Sequence, residues 1–187
     1  KALPNMFAQT KDIGTSFTDA VRVAGSILRA SGGRMYVIQS NPNVISEKSL
    51  TIKGPPNTID KKTFLIPTAP NIMEMTPDMQ QNFVSCSLFI MSNSYKNLIT
   101  MGELARYLNG DIYYYPEGPE RNHKFYFEFK NSLLREYTWE SVFRIRISAG
   151  WKISAIYGNY SIKSSGDLLS LPNIDDSKSL IYELVLD

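Results

Sequence analysis

Phe17, Ala20, Val21, Ala24, Ile27 and Leu28 recur three and four residues apart, the spacing that puts apolar side chains on one face of an α-helix. Ser16 followed by Asp19 resembles a capping box with Asp in the usual Glu role, and Gly32-Gly33 stops the helix. Arg34 to Ser40 is then a short apolar run rich in strand formers. Residues 41 to 75 hold Pro42, Pro55, Pro56, Pro67 and Pro70 without a sustained period and read as a long surface segment or insertion. Pro77 opens a short helix reaching about Gln81, and Phe83 to Met91 is apolar enough for a strand buried on both faces. Thr100, with Glu103 three residues on, caps a helix whose buried face is Met101, Leu104, Ala105 and Leu108 and which Asn109-Gly110 ends. Asp111 to Pro116 is a third strand. After the polar link from Glu117 to Asn122, Phe125, Phe129 and Leu133 stack at i, i+4 and i+8 of a further helix, with Tyr126 and Leu134 beside them. Strands alternating with helices in this way predict a parallel sheet with helices on its faces.

Near Thr138 the period changes from 3.6 to 2. Ser141 to Ser148 places Phe143, Ile145 and Ile147 on one strand face and Val142, Arg144, Arg146 and Ser148 on the other. Further strands are predicted at Trp151 to Tyr157, Tyr160 to Lys163 and Leu180 to Leu186, separated by Ala149-Gly150, Gly158-Asn159 and the loop through Ser165-Gly166-Asp167. The α/β pattern therefore ends near Glu136. The all-β pattern that follows has too few strands to close a sandwich.

Composition narrows the function more than the fold. The 187 residues are 43% hydrophobic and 20% charged, an ordinary globular balance that excludes disordered and collagen-like architectures. A formal charge of +2 lacks the basic excess of a nucleic-acid module, so no nucleic-acid partner is expected. The longest apolar run falls far short of the roughly 20 residues that span a bilayer. Lys1 begins neither a signal segment nor a chain with its initiator Met, which reads as a piece of something longer.

Most catalytic chemistry lacks its parts. Cys86 is the one cysteine, so there is neither an internal disulfide nor a multi-cysteine zinc site. His123, the one histidine, lies in a polar stretch and reads as a solvated residue. No Gly-x-Ser-x-Gly elbow and no phosphate-cradling glycine loop occurs. Asp175-Asp176 and Glu117 with Glu120 would have to carry any metal-dependent hydrolase, yet solvation in polar loops explains them more simply. Asn159-Tyr160-Ser161 fits the glycosylation pattern by chance, and Tyr113, Tyr114 and Tyr115 alternate faces, so they form no stacking platform for bases.

Arg144 and Arg146 remain. Residues i and i+2 of a strand share a face and lie about 6.5–7 Å apart, the spacing of the two carboxylates in an extended acid-x-acid peptide. Basic side chains on an exposed strand face are also common without a ligand, and the pattern alone does not choose.

Ser31-Gly32-Gly33 before a strand, Gly102-Glu103-Leu104 through Gly110, Tyr113-Tyr114-Tyr115-Pro116, Tyr157-Gly158-Asn159 and Leu168-Leu169-Ser170-Leu171-Pro172-Asn173 together resemble the cargo-adaptor subunit of the COPII coat's inner layer. The resemblance runs over most of the chain and is weakest from Val44 to Gln81. It implies the C-terminal part of a von Willebrand A-like trunk domain over 1–137 and the N-terminal part of a β-sandwich over 138–187. It also implies a non-enzymatic, cytoplasmic protein lying peripherally on the ER membrane and the vesicle coat. Its implied partners are a paralogous inner-coat subunit, cargo sorting-signal peptides and SNAREs. Phe143-Arg144-Ile145-Arg146 matches the family's Met-Arg-Val-Arg-like strand, which carries acidic-signal binding over to Arg144 and Arg146. The family's zinc finger, the first half of its trunk, its helical and gelsolin-like domains and further pocket arginines have no counterpart in these residues, and neither does a magnesium-binding Asp-x-Ser-x-Ser motif. No cofactor is therefore expected within this chain. The alternative is a von Willebrand A-like interaction module without a coat role.

Overall fold

The computed structural model describes residues 2–11, 14–40, 66, 70–92, 98–116, 123–162 and 168–187. A short helix, α1 (Ala2–Met6), precedes the amphipathic α2 (Phe17–Leu28) and strand β1 (Gly33–Gln39). Next come α3 (Pro70–Gln81), β2 (Val84–Met91), α4 (Leu98–Tyr107), β3 (Ile112–Tyr115) and α5 (His123–Leu134). Five strands complete the chain: β4 (Tyr137–Phe143), β5 (Trp151–Tyr157), β6 (Ser161–Ile162), β7 (Leu169–Asp175) and β8 (Ile181–Leu186).

β1, β2 and β3 form the predicted parallel sheet in that spatial order. All eight residues of the central strand are buried, and their alternation assigns each to a layer. Val84, Cys86, Leu88 and Ile90 face α2, α3 and α4, packing with Val21, Ile72, Met79, Met101, Leu104 and Leu108. Phe89 and Met91 face the other way and join Tyr115, Tyr36, Tyr113, Phe125 and Phe129 in an aromatic layer beneath α5. Phe89 stacks on Tyr113 at 4.6 Å and meets Phe129 edge-on at 5.2 Å, arrangements that suit the quadrupoles of the rings. Tyr114 points to the opposite side, its hydroxyl donating to the Ser92 carbonyl at 2.7 Å.

Several boundaries differ from those the pattern predicts. α3 starts at Pro70, and Pro77 lies inside it. Proline has no N–H for the carbonyl four residues back, Met73. The Thr76 hydroxyl donates to that carbonyl instead at 3.0 Å, and the helix continues. Thr100 is a buried residue within α4 rather than its cap. At α2 the Ser16 hydroxyl bonds the Asp19 carboxylate at 3.1 Å and caps no backbone N–H. On α5, Leu133 is 51% exposed while Ser132 is buried. At 100° per residue, i+7 returns to within about 20° of Phe125 whereas i+8 is turned away by about 80°. The surface segment predicted over 41–75 lies largely outside the described residues, as do Glu117, Glu120 and the loop at 165–167.

The antiparallel part forms two sheets, β4-β7-β6 and β5-β8. β7 is absent from the predicted strands because Pro172 sits in its middle. The β4–β7 ladder pairs Trp139 with Asn173 and Ser141 with Leu171 but skips Glu140 and Pro172. Glu140 takes a φ of 50° there, so the irregularity falls where proline has no donor to give.

Candidate binding site at the junction of the two parts

The polar half of β2 positions the junction. Ser85 and Ser87 share the strand face of Phe89 but lie beyond the aromatic layer, and β7 approaches them. Asn173 of β7 donates from Nδ2 to Ser85 Oγ at 2.6 Å. Asn109, just past α4 with φ 52°, donates from its own Nδ2 to the Asn173 carbonyl. Asparagine tolerates that left-handed backbone, which closes the helix as the Gly110 N–H bonds the Ala105 carbonyl at 2.8 Å. Gly110 itself passes so close to β2 that an added Cβ would overlap the Cys86 carbonyl. Asn159 Nδ2 donates to the Gly110 carbonyl at 3.1 Å, and Lys178 Nζ reaches Asp111 at 2.8 Å.

An ionic cluster lies on the same side. Arg34 of β1 and Arg135, which follows α5, both approach Asp175 at the end of β7, at 3.6 and 3.7 Å. Arg135 Nε also holds Asp176 at 3.0 Å. The Arg34 guanidinium lies over the rings of Tyr137 at 4.7 Å and Tyr36 at 5.3 Å. Burial raises the Asp175 pKa, but hydrogen bonds from the Ser177 hydroxyl and N–H, with the charges of Lys178 and Arg135, outweigh it and leave the carboxyl below its ordinary range. Asp175 is therefore not the solvated loop acid its sequence context indicates; only Asp176 is.

Arg144 and Arg146 stand beside this junction. β4 ends at Phe143 rather than continuing to Ser148, because Phe143 already pairs with Leu169, the first residue of β7. The predicted strand is thus corrected to an irregular segment over 144–148. The alternation persists through it: Arg144, Arg146 and Ser148 are exposed while Ile145 and Ile147 are half-buried. Phe143 and Ile145 line a cleft of about 380 Å³ with Leu180 and Tyr182 on one side and Asn109 and Asp111 on the other. Among the described residues no three His, Cys, Asp or Glu side chains converge as a metal site would require. No helix among them is long and apolar enough to cross a membrane.

Comparison with known proteins identifies the family. A family model described as the Sec23/Sec24 trunk domain matches residues 1–137. The chain belongs to the Sec23/Sec24 trunk family. The match takes in the parallel sheet and its helices, so Arg34 and Arg135 lie within the trunk while Asp175, Arg144 and Arg146 lie beyond it. Similar curated proteins extend over the whole chain. "Protein transport protein SEC24 A" of Arabidopsis thaliana is 29% identical over 192 residues, and "Protein transport protein Sec24A" of Homo sapiens is 31% identical over 202. Each match covers 100% of this chain and 18% of the relative, so the chain spans under one-fifth of their length. The crystal structure of the human COPII-coat protein Sec24c superposes with a TM-score of 0.86 at 18% identity, covering 98% of this chain and 25% of that one. The fold is thus α/β and von Willebrand A-like, followed by antiparallel strands.

Arg34, Arg135, Asn109 and Asn173 are the junction residues that sequence reasoning missed. The one local signal was Asn109-Gly110, legible as a helix stop but not as a contact with a distant strand.

Proposed function

We propose that this chain is part of a COPII coat subunit that selects cargo during ER-to-Golgi transport, with Arg144 and Arg146 binding acidic sorting signals. The observation that carries the reading is the alternation at 144–148. Ile145 and Ile147 are half-buried, Ile145 against the cleft, while both arginines face solvent, next to the trunk of a family whose similar members are named protein transport proteins. Two guanidinium forks on one face suit two carboxylates of an extended peptide. The division at 137/138 then separates a trunk that scaffolds from a sandwich that presents the arginines. The role is non-catalytic and calls on no cofactor within this chain. The other partners are a paralogous inner-coat subunit, SNAREs that carry such signals, and the cytoplasmic surface of the ER membrane, on which the coat lies peripherally.

The test uses the full-length protein and a fluorescent acid-x-acid peptide. Arg144→Glu with Arg146→Glu abolishes binding, and the wild-type affinity falls as salt rises. Binding that survives the double reversal at low ionic strength, where screening is weakest, overturns the assignment. A partner captured through the trunk and indifferent to both arginines would favour an interaction module without a coat role.

A further inference from the structure

The face that carries Arg144 and Arg146 ends in a hydroxyl. Ser148 follows Arg146 by two residues and Arg144 by four, and all three side chains are exposed while Ile145 and Ile147 are half-buried. The segment belongs to no ladder, since β4 stops at Phe143 and β5 starts at Trp151. Ser148 opens the turn between them. The Trp151 N–H donates to the Ser148 carbonyl at 3.3 Å, and Gly150 takes a φ of 89°. A Cβ added at Gly150 would meet nothing within 4 Å, so that side of the turn is open.

Three other hydroxyls follow an arginine within four residues, and each is held differently. Ser26 lies in α2, where its hydroxyl donates to the Arg22 carbonyl at 2.9 Å. The Ser31 hydroxyl donates to the Gly32 carbonyl at 3.0 Å, and Arg29 pairs with Asp78 at 3.1 Å. Thr138 is paired into β4 opposite Ile174, and Arg135 is engaged by Asp175 and Asp176. Ser148 differs from all three, being an exposed serine on irregular chain with two exposed arginines before it. A basophilic protein kinase needs this arrangement, because it draws its acceptor in as an extended peptide and pairs the arginines with its own carboxylates.

We propose that Ser148 is a phosphorylation site and that its phosphate, gripped by Arg146, closes the arginine face to acidic peptides. In the transfer, Ser148 Oγ attacks the terminal phosphorus of ATP. The bond from that phosphorus to the bridging oxygen breaks, ADP leaves, and the hydroxyl proton passes to the aspartate base of the kinase. The product carries a charge of about −1.5 to −2 and three acceptor oxygens. On an extended chain it lies about 6.5–7 Å along from Arg146 on the same face, within reach of a guanidinium fork. A tethered phosphate thus takes the partner an acid-x-acid ligand requires, with the advantage of an intramolecular contact. The closing of the face rests on the acidic-signal reading above; the modification and the contact with Arg146 do not.

The test treats the full-length protein with ATP and a purified serine/threonine kinase that selects arginine two residues before its acceptor. Mass spectrometry is expected to place phosphate on Ser148, and Ser148→Ala to lose it; wild-type protein left unmodified at Ser148 overturns the proposal. Phosphorus-31 NMR then follows the second ionisation of the phosphate. A neighbouring guanidinium favours the dianion, so the pKa is expected below its ordinary value of about 6 in the wild type and back at that value in Arg146→Gln. Equal values in both overturn the contact. The fluorescent acid-x-acid peptide is expected to bind the phosphorylated protein at least about tenfold more weakly than the unmodified one, and unchanged affinity overturns the closure. A peptide that binds neither form refutes the acidic-signal reading, while the label and the ionisation still decide the site.

Discussion

Asp175→Ala tests the junction most directly. The substitution removes the carboxylate between a buried and a half-buried guanidinium and leaves Arg34, 8% exposed, without that counter-ion. Removing one partner of a buried pair typically costs about 3–5 kcal/mol, because the remaining charge stays desolvated. Arg135 keeps Asp176 and is 23% exposed, so it relaxes toward solvent and the loss falls near the lower end of that range, about 3 kcal/mol. With a urea m-value of about 2 kcal/mol/M, the unfolding midpoint of the chain drops by roughly 1.5 M. Adding Arg34→Met to Asp175→Ala removes the stranded charge and restores about 1–2 kcal/mol, a non-additivity expected of neighbours. The pH dependence gives an independent check. The folded-state pKa of Asp175 is lowered, so its contribution is fully present above the unfolded value of about 3.9 and is lost as pH falls through the folded value. Wild type and Asp175→Ala therefore differ by a constant amount near neutrality and converge in acid. A midpoint shift below about 0.5 M, the effect of an exposed ion pair, or a gap that persists in acid would refute the reasoning.

Two more predictions address the helix stop and the core. Asn109→Ala loses the bond to the Asn173 carbonyl and strains a backbone at φ 52°, whereas Asn109→Gly loses only the bond. Thermal melts are expected to place the alanine variant about 1 kcal/mol below the glycine variant, and equal stabilities would show that the left-handed backbone costs nothing there. Burial pushes the Cys86 thiol well above its ordinary pKa, so the folded state keeps a proton that the unfolded state gives up above about pH 8.5. Stability is then complete below that pH and declines as pH rises. The thiol should react with an aromatic disulfide reagent only as fast as the chain unfolds, so rapid labelling without denaturant would contradict its burial.

The local periodicities of the sequence were sufficient to specify the parallel sheet. In the run Val84-Ser85-Cys86-Ser87-Leu88-Phe89-Ile90-Met91, hydrophobicity marks a strand buried on both faces, and that is what forms. The errors occur where a side chain changes what a residue type implies. Pro77 reads as a helix start because its missing donor is visible, while the Thr76 hydroxyl that replaces it is not. Pro172 hides β7 because a ladder can skip one pair and continue.

The candidate site divides in the same way. The shared, exposed face of Arg144 and Arg146 is legible from a period-2 pattern, which is local and survives the end of the hydrogen-bonded strand, while their binding role rests on the family resemblance. Asp175 was misread as solvated because its environment is built from β1 and the end of α5, remote in sequence. By itself, then, the sequence determined the helices and strands of the parallel sheet, the burial of its central strand on both faces and the alternation at 144–148, since these follow from the backbone's periods of 3.6 and 2 and from local hydrophobicity. Only the tertiary structure decided that the serines of β2 meet a distant strand and that one aspartate is buried between two arginines. Burial and charge pairing depend on which surfaces the chain brings together, and no local period encodes that.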